Sequence, residues 1–253
     1  MNCKLKNDLK RWTKENEIPA FITNDPIQFP HRYHNRKDIE ISAFVTAWIA
    51  WGSRKQIIQK ADFVDRILFK GAPLKYIKNE EWRVYSENTD SFYRTYKHSD
   101  FHDLCERLHE VYTSFETMEA AIKANLTETG TVLDTLRLLF GSVKGIPDET
   151  SKSACKRLCM FLRWMCRTNS PVDFGLWTCN DPRNLIIPLD THVHQQALQL
   201  KLTNRRTADM TTAIEITNRL AEVFPDDPTK GDFALFGNGV VKEGAKELLK
   251  LYF

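Results

Sequence analysis

Two ionisable side chains in the second half of the chain, Lys156 and Asp190, stand in surroundings that could make them reactive. Lys156 lies in Ser-Ala-Cys-Lys-Arg-Leu-Cys-Met-Phe-Leu-Arg-Trp-Met-Cys-Arg, residues 153–167. That stretch reads as a two-faced helix, with Cys155, Leu158, Cys159, Leu162, Met165 and Cys166 forming an apolar stripe. The opposite face collects Lys156, Arg163 and Arg167 around Met160 and Trp164. A lysine among other cations has its charged form disfavoured, which is one way to prepare an amine nucleophile. The same letters also describe an ordinary basic helix face that meets solvent or phosphate. Asp190 follows Ile186-Ile187-Pro188-Leu189 and precedes Thr191 to Leu200, which reads as a helix. It is the natural N-cap of that helix, accepting backbone N–H bonds at the positive end of the dipole. Capping by itself accounts for the residue. A rigidly held, ionised carboxylate also suits the stabilisation of a developing cation.

Other residue types that could carry chemistry are less pointed. His192 and His194 lie two apart and diverge on a helix, so a shared metal is not expected, although a hydrolase using both with Asp190 stays open as a third reading. His31-Arg32-Tyr33-His34-Asn35-Arg36-Lys37 is a basic stretch that could hold phosphates or could be a solvated loop. Phe92-Tyr93-Arg94-Thr95-Tyr96-Lys97 interleaves aromatics with cations, a pattern that suits base stacking but is better read as core and rim aromatics beside snorkelling cations. The six cysteines include no Cys-x-x-Cys pair, which argues against a zinc ribbon or an iron–sulfur loop. Cys155, Cys159 and Cys166 recur at helical spacing and are expected to pack as small hydrophobes.

The elements that must position these residues read as helices throughout. Apolar residues recur at three and four, and no alternating run is flanked by hairpin turns. Helices are expected over 4–17, from Asp38 as N-cap to Gly52, over 55–70, over 101–115 and 118–126, over 153–167, from Asp190 to Leu200, over 212–224 and from Asp232 onward. Gly237 and Gly239 in the last of these suggest a close neighbour. At 253 residues, 42% hydrophobic and 27% charged, the chain has globular composition and enough length for a substantial core. Its longest apolar stretch, 41–51, is too short to span a bilayer, and its start lacks the apolar core of a signal peptide. A cytoplasmic protein is therefore expected. A net charge of +3 does not by itself demand nucleic acid.

Taken together, Leu189-Asp190-Thr191-His192-Val193, the helices over 39–67 and the segment 232–240 resemble the helix-hairpin-helix DNA glycosylase superfamily. The chain looks still more like an uncharacterised bacterial family of unknown function marked by Lys-Arg-Leu-x-Met-Phe-Leu-Arg-Trp-Met, Pro-Leu-Asp-Thr-His and Asp-Phe-Ala-Leu-Phe-Gly. Within the superfamily the style is nearest to the archaeal glycosylase for oxidised guanine. The resemblance implies one all-α domain over 1–253 with two lobes, 40–150 and 1–39 plus 151–253, and a degenerate hairpin in which 148–154 replaces the usual glycine-rich turn. It implies removal of a damaged base from lesion-bearing, double-stranded DNA through a flipped nucleotide, with no cofactor, by a chain expected to be monomeric. Lys156 would attack the sugar and Asp190 would support the cationic transition state or move a proton. Arg163, Arg167, His192, His31, Arg32, Arg36 and Lys37 would contact DNA, and Trp51 and Trp164 would wall the base pocket. A nucleic-acid-binding or interaction module that kept the fold without the chemistry is the alternative from a different class.

Overall fold

The computed structural model describes residues 1–128 and 130–241. It is mostly helical, 61% helix and 3% strand. In chain order the helices are α1 (Cys3–Asn16), α2 (Ala20–Thr23), α3 (Arg36–Ile49), α4 (Arg54–Phe63), α5 (Pro73–Lys78), α6 (His98–Ser114), α7 (Met118–Asn125), α8 (Val132–Phe140), α9 (Lys156–Cys166), α10 (Thr191–Gln199), α11 (Met210–Ala221) and α12 (Asp232–Val241). A two-stranded antiparallel ribbon, β1 (Ser91–Tyr93) and β2 (Tyr96–Lys97), precedes α6. The chain divides into a central unit, Ile22–Ser151, and a terminal unit, Met1–Phe21 with the chain from Lys152 onward. Residues 22–39 thus fall in the central unit, whereas the sequence reading grouped them with the termini. No helix among the described residues is long and apolar enough to cross a membrane.

The central unit is organised around α3, every residue of which from Ile39 to Ile49 is buried. Asn35 rather than Asp38 caps this helix, its side chain accepting from the Lys37 amide. Asp38, one turn in, instead accepts from the Leu74 amide at 2.8 Å and so ties α3 to the start of α5. Glu40 lies wholly inside, where it accepts from the Tyr112 hydroxyl and the Met118 amide. A buried carboxylate persists only with such partners. The ribbon is too short to have shown a period-two pattern, and its aromatics are core: Tyr96 stacks on Trp48 at 4.3 Å and Phe92 stacks on Phe101 at 4.5 Å. The base-stacking alternative for 92–97 gives way to this packing.

The terminal unit has its own core, drawn from α1, α10, α11, α12 and the extended lead-in at 187–189. Leu5, Leu9 and Trp12 supply the inner face of α1, as the amphipathic spacing predicted. Helix α9 departs from expectation. It begins at Lys156 because Cys155 takes the left-handed backbone conformation, φ 49°, which no continuing helix tolerates. It is also not two-faced, since every residue from Leu158 to Cys166 is buried. The strand-like segment 174–177 closes its other side, donating the Phe174 and Trp177 amides to the Trp164 and Met165 carbonyls at 2.8 Å and so satisfying the last turn. Gly175 permits that approach, for a Cβ there would lie 2.7 Å from the Arg167 carbonyl oxygen at φ +60°. Cys155, Cys159 and Cys166 are buried, and none is in a disulfide. The close neighbour expected at Gly237 and Gly239 lies outside the described side chains.

Candidate functional site

Asp190 is positioned by apolar residues on both sides of it. Leu189 and Val193 belong to the terminal unit's core, so the turn between them cannot move without opening that core. In this turn Asp190 has an extended backbone, and its Oδ1 accepts from the Val193 amide at 2.9 Å, the bond of an N-cap. The side chain is half-buried. The Ile187 amide, just upstream, donates to the Thr217 hydroxyl on α11 at 3.0 Å, which pins the lead-in as well.

Lys156 is the first residue of α9 and is half-buried. Asp232 is the first residue of α12, which packs against α10. These three ionisable groups thus stand at the N-terminal ends of three helices of one unit, where the dipoles favour negative charge. The Asp232 carboxyl is buried and registers its neighbours: desolvation raises its pKa, Arg163 lowers it, Asp190 raises it, Lys156 lowers it and Asp173 raises it. The net effect moves it from 3.8 to about 6. Lys156 and Asp190 are thus both among the charges that act on this buried carboxyl.

The raised carboxyl makes stability depend on pH with a defined sign. A carboxyl whose folded pKa exceeds its unfolded value binds protons more readily when folded. Its burial penalty is present above about pH 6 and fades as the pH falls toward 4. Unfolding free energies of the native chain and Asp232→Asn should therefore differ by an amount that moves in the variant's favour between pH 4 and pH 7. Urea titrations across that range measure it, and a flat difference would contradict the placement of this group.

Arg163 and Arg167 prove to be internal. Arg163 donates through Nη1 to Asp232 and lies 3.4 Å from Asp173, and its guanidinium sits over the Phe233 ring at 4.7 Å. Arg167, 1% exposed, donates to Asp173, to Glu17 at 2.7 Å and to Asp227 at 2.8 Å. Burial opposes the Arg167 charge, but Asp173, Asp227 and Glu17 outweigh it and hold the guanidinium firmly protonated. Neither arginine is presented to a phosphate, because helical spacing reports which residues share a face and not whether that face meets solvent. Trp164 is likewise 0% exposed, so it packs in the interior and does not wall an open pocket.

The remaining expected residues divide between the units. His192 is exposed on the first turn of α10. His194 is buried, and its Nε2–H donates to the Arg205 carbonyl at 2.8 Å. That bond turns His194 away from a joint site with His192 and Asp190, and the described groups near enough to share an ion are instead His102, Asp103 and Glu106 on α6. The basic stretch belongs to the central unit. There Arg32 pairs with Asp62 at 3.1 Å and Asp65 at 2.5 Å, Arg36 with Glu40 and Glu119, and Lys37 with Glu116 at 3.8 Å, while His31 is half-buried. Trp51, also central, is half-buried under the Arg94 guanidinium at 4.5 Å. The segment in place of the hairpin is a turn built on Asp148, whose Oδ1 accepts from the Thr150 and Ser151 amides.

Sequence reasoning missed Asp232, Asp173, Asp227 and Glu17. Asp232 had one visible signal, an acid opening a nearly all-apolar helix, since a carboxylate carried into such a core requires a cation there. Asp173 and Asp227 sit in proline-containing loops, where an acid is ordinarily solvated.

No curated protein and no solved structure gives a significant match to this chain. The family model described as Protein of unknown function (DUF2400) matches residues 25–241, which takes in α9, the Asp190 turn and the start of α12, and the chain belongs to that family.

Proposed function

We propose that this protein is a DNA N-glycosylase with lyase activity, acting on a damaged base in a flipped nucleotide, with Lys156 as nucleophile and Asp190 as the stabilising carboxylate. The observation that supports the reading is an anchored carboxylate at the cap of α10 and an amine at the head of α9 in the same unit, both acting on the charge of the Asp232 carboxyl. Departure of a base leaves positive charge on the sugar. A fixed carboxylate stabilises that charge without having to reorganise, and an amine captures the carbon that bears it. The likeness of 189–193 to the helix-hairpin-helix glycosylases points the same way, and a two-lobed helical fold of that kind belongs to this proposal.

Borohydride reduction tests it. The full-length chain, incubated with duplexes carrying a panel of oxidised, alkylated and deaminated bases, should give a reduced covalent adduct on at least one, and Lys156→Ala should give none. Base release and adduct both absent across the panel, with DNA binding retained, would leave a binding module in place of the enzyme.

A further inference from the structure

The cations of the central unit differ in what holds them. Arg32, Arg36, Lys37, Arg66 and Lys144 each meet a carboxylate. Arg94 and Lys60 are held by neutral groups instead. The Arg94 guanidinium lies over the Trp51 ring at 4.5 Å, and its Nη1 donates to the side-chain carbonyl of Gln56 on α4 at 3.0 Å. Gly52 leaves room for that nitrogen, since a Cβ there would lie 2.5 Å from it. The Lys60 ammonium lies 4.3 Å from the centre of the Phe92 ring and 4.5 Å from that of Phe63. Among the described residues, neither of these two cations pairs with a carboxylate.

An aromatic face fixes a cation without neutralising it, so both charges remain uncompensated. Burial also disfavours the Lys60 charge and lowers its pKa, an effect that an arriving anion would offset. Gln56 and Lys60 are one turn apart, about 6 Å along the helix axis. The two fixed cations therefore follow α4 where it borders β1, which carries Phe92. Arg54 and Lys55, both exposed, open the same helix. A single small anion would meet one of these charges. A nucleic-acid strand carries a phosphate about every 3.4 Å of its axis and meets several.

We propose that the seam between α4 and the ribbon, with Arg94 and Lys60 at its centre, binds the phosphodiester backbone of DNA. The choice of DNA as the polyanion rests on the glycosylase reading. Gln56 occupies one of the N–H donors of Arg94, and the others suit phosphate oxygens. Trp51 is then the platform under a phosphate-binding cation. The rings of 92–97 likewise support the cations of the seam and do not stack on bases.

Fluorescence anisotropy of an undamaged, labelled duplex titrated with the full-length chain tests the seam without any chemistry. Arg94→Gln and Lys60→Gln should each weaken binding roughly three- to tenfold at about 50 mM salt, and each should lower the slope of log affinity against log salt by about one. Neither substitution breaks an ion pair, so both variants should fold. Acetic anhydride labelling of the native chain, read by mass spectrometry, needs no variant: the duplex should shield Lys60. Inorganic phosphate at equal phosphate concentration, and phosphatidylserine–phosphatidylcholine vesicles, should not. Unchanged affinity and slope in either variant, or shielding by phosphate or vesicles equal to that by the duplex, overturns the inference. Borohydride adducts formed by a chain whose duplex binding ignores both substitutions would sink the seam and spare the enzyme. Weakened binding by both variants, with no adduct and no base release on any lesion, would do the reverse.

Discussion

Asp190→Asn should unfold at the same temperature as the native chain and release base about a hundredfold more slowly or worse, the loss typical when one preorganised electrostatic stabiliser is removed. The two effects separate because the residue does two jobs through different properties. Capping needs an acceptor oxygen for the Val193 amide, and asparagine supplies one as well as aspartate does. Stabilising a cation needs the charge, which asparagine lacks. Asp190→Ala removes both, and should add a stability loss of about 1 kcal/mol, typical of a lost cap. Thermal unfolding and single-turnover base release, on whichever lesion yields the adduct, measure the pair. Full release by Asp190→Asn would reduce this residue to a cap. A matching loss of stability would show that its charge is structural.

The second large effect concerns folding. Arg167→Met should lose about 3–5 kcal/mol, the usual consequence of deleting one partner of a buried ion pair. Methionine fills much of the volume but leaves Asp173 and Glu17 facing an apolar neighbour, with Asp227 losing its 2.8 Å bond. Arg163 still meets Asp173 and Lys230 still meets Glu17 at 3.5 Å, which is why the loss stays within that range. Domains of this size are stable by roughly 5–15 kcal/mol, so a large part of the margin disappears. Arg167→Lys should recover little, because one ammonium cannot replace a planar fork that donates to three carboxylates in different directions. Urea denaturation of the full-length variants reads both. A variant as stable as the native chain would mean that the network adds nothing beyond its own desolvation.

Much of the secondary structure was legible before any coordinates. The spacing of Leu5, Leu9 and Trp12, of Ile216 and Leu220, and of the residues around Phe44 and Trp48 dictates where helices form, because a buried stripe must recur at the helical period. The Asp190 cap was legible for the same local reason, as a capping residue acts on amides two and three positions ahead. The start of α9 was not. Nothing in Ser-Ala-Cys-Lys announces that Cys155 takes φ 49°, a conformation imposed by surroundings and not by its own preference.

The sequence by itself determined a mostly helical chain, the cap at Asp190 and the presence of Lys156 in a helical segment, since each depends on neighbours within a few residues. Tertiary structure alone decided what surrounds them. It buried Arg163, Arg167 and Trp164, which the helical period had placed on an outer face, and it supplied carboxylates to the two arginines from Glu17, Asp227 and Asp232, far along the chain, and from Asp173 in the loop just after α9. Which face of a helix meets solvent, and which acid meets which base, follows from packing among remote elements. No local pattern encodes that, and the ion pair of Arg163 with Asp232 is its clearest product here.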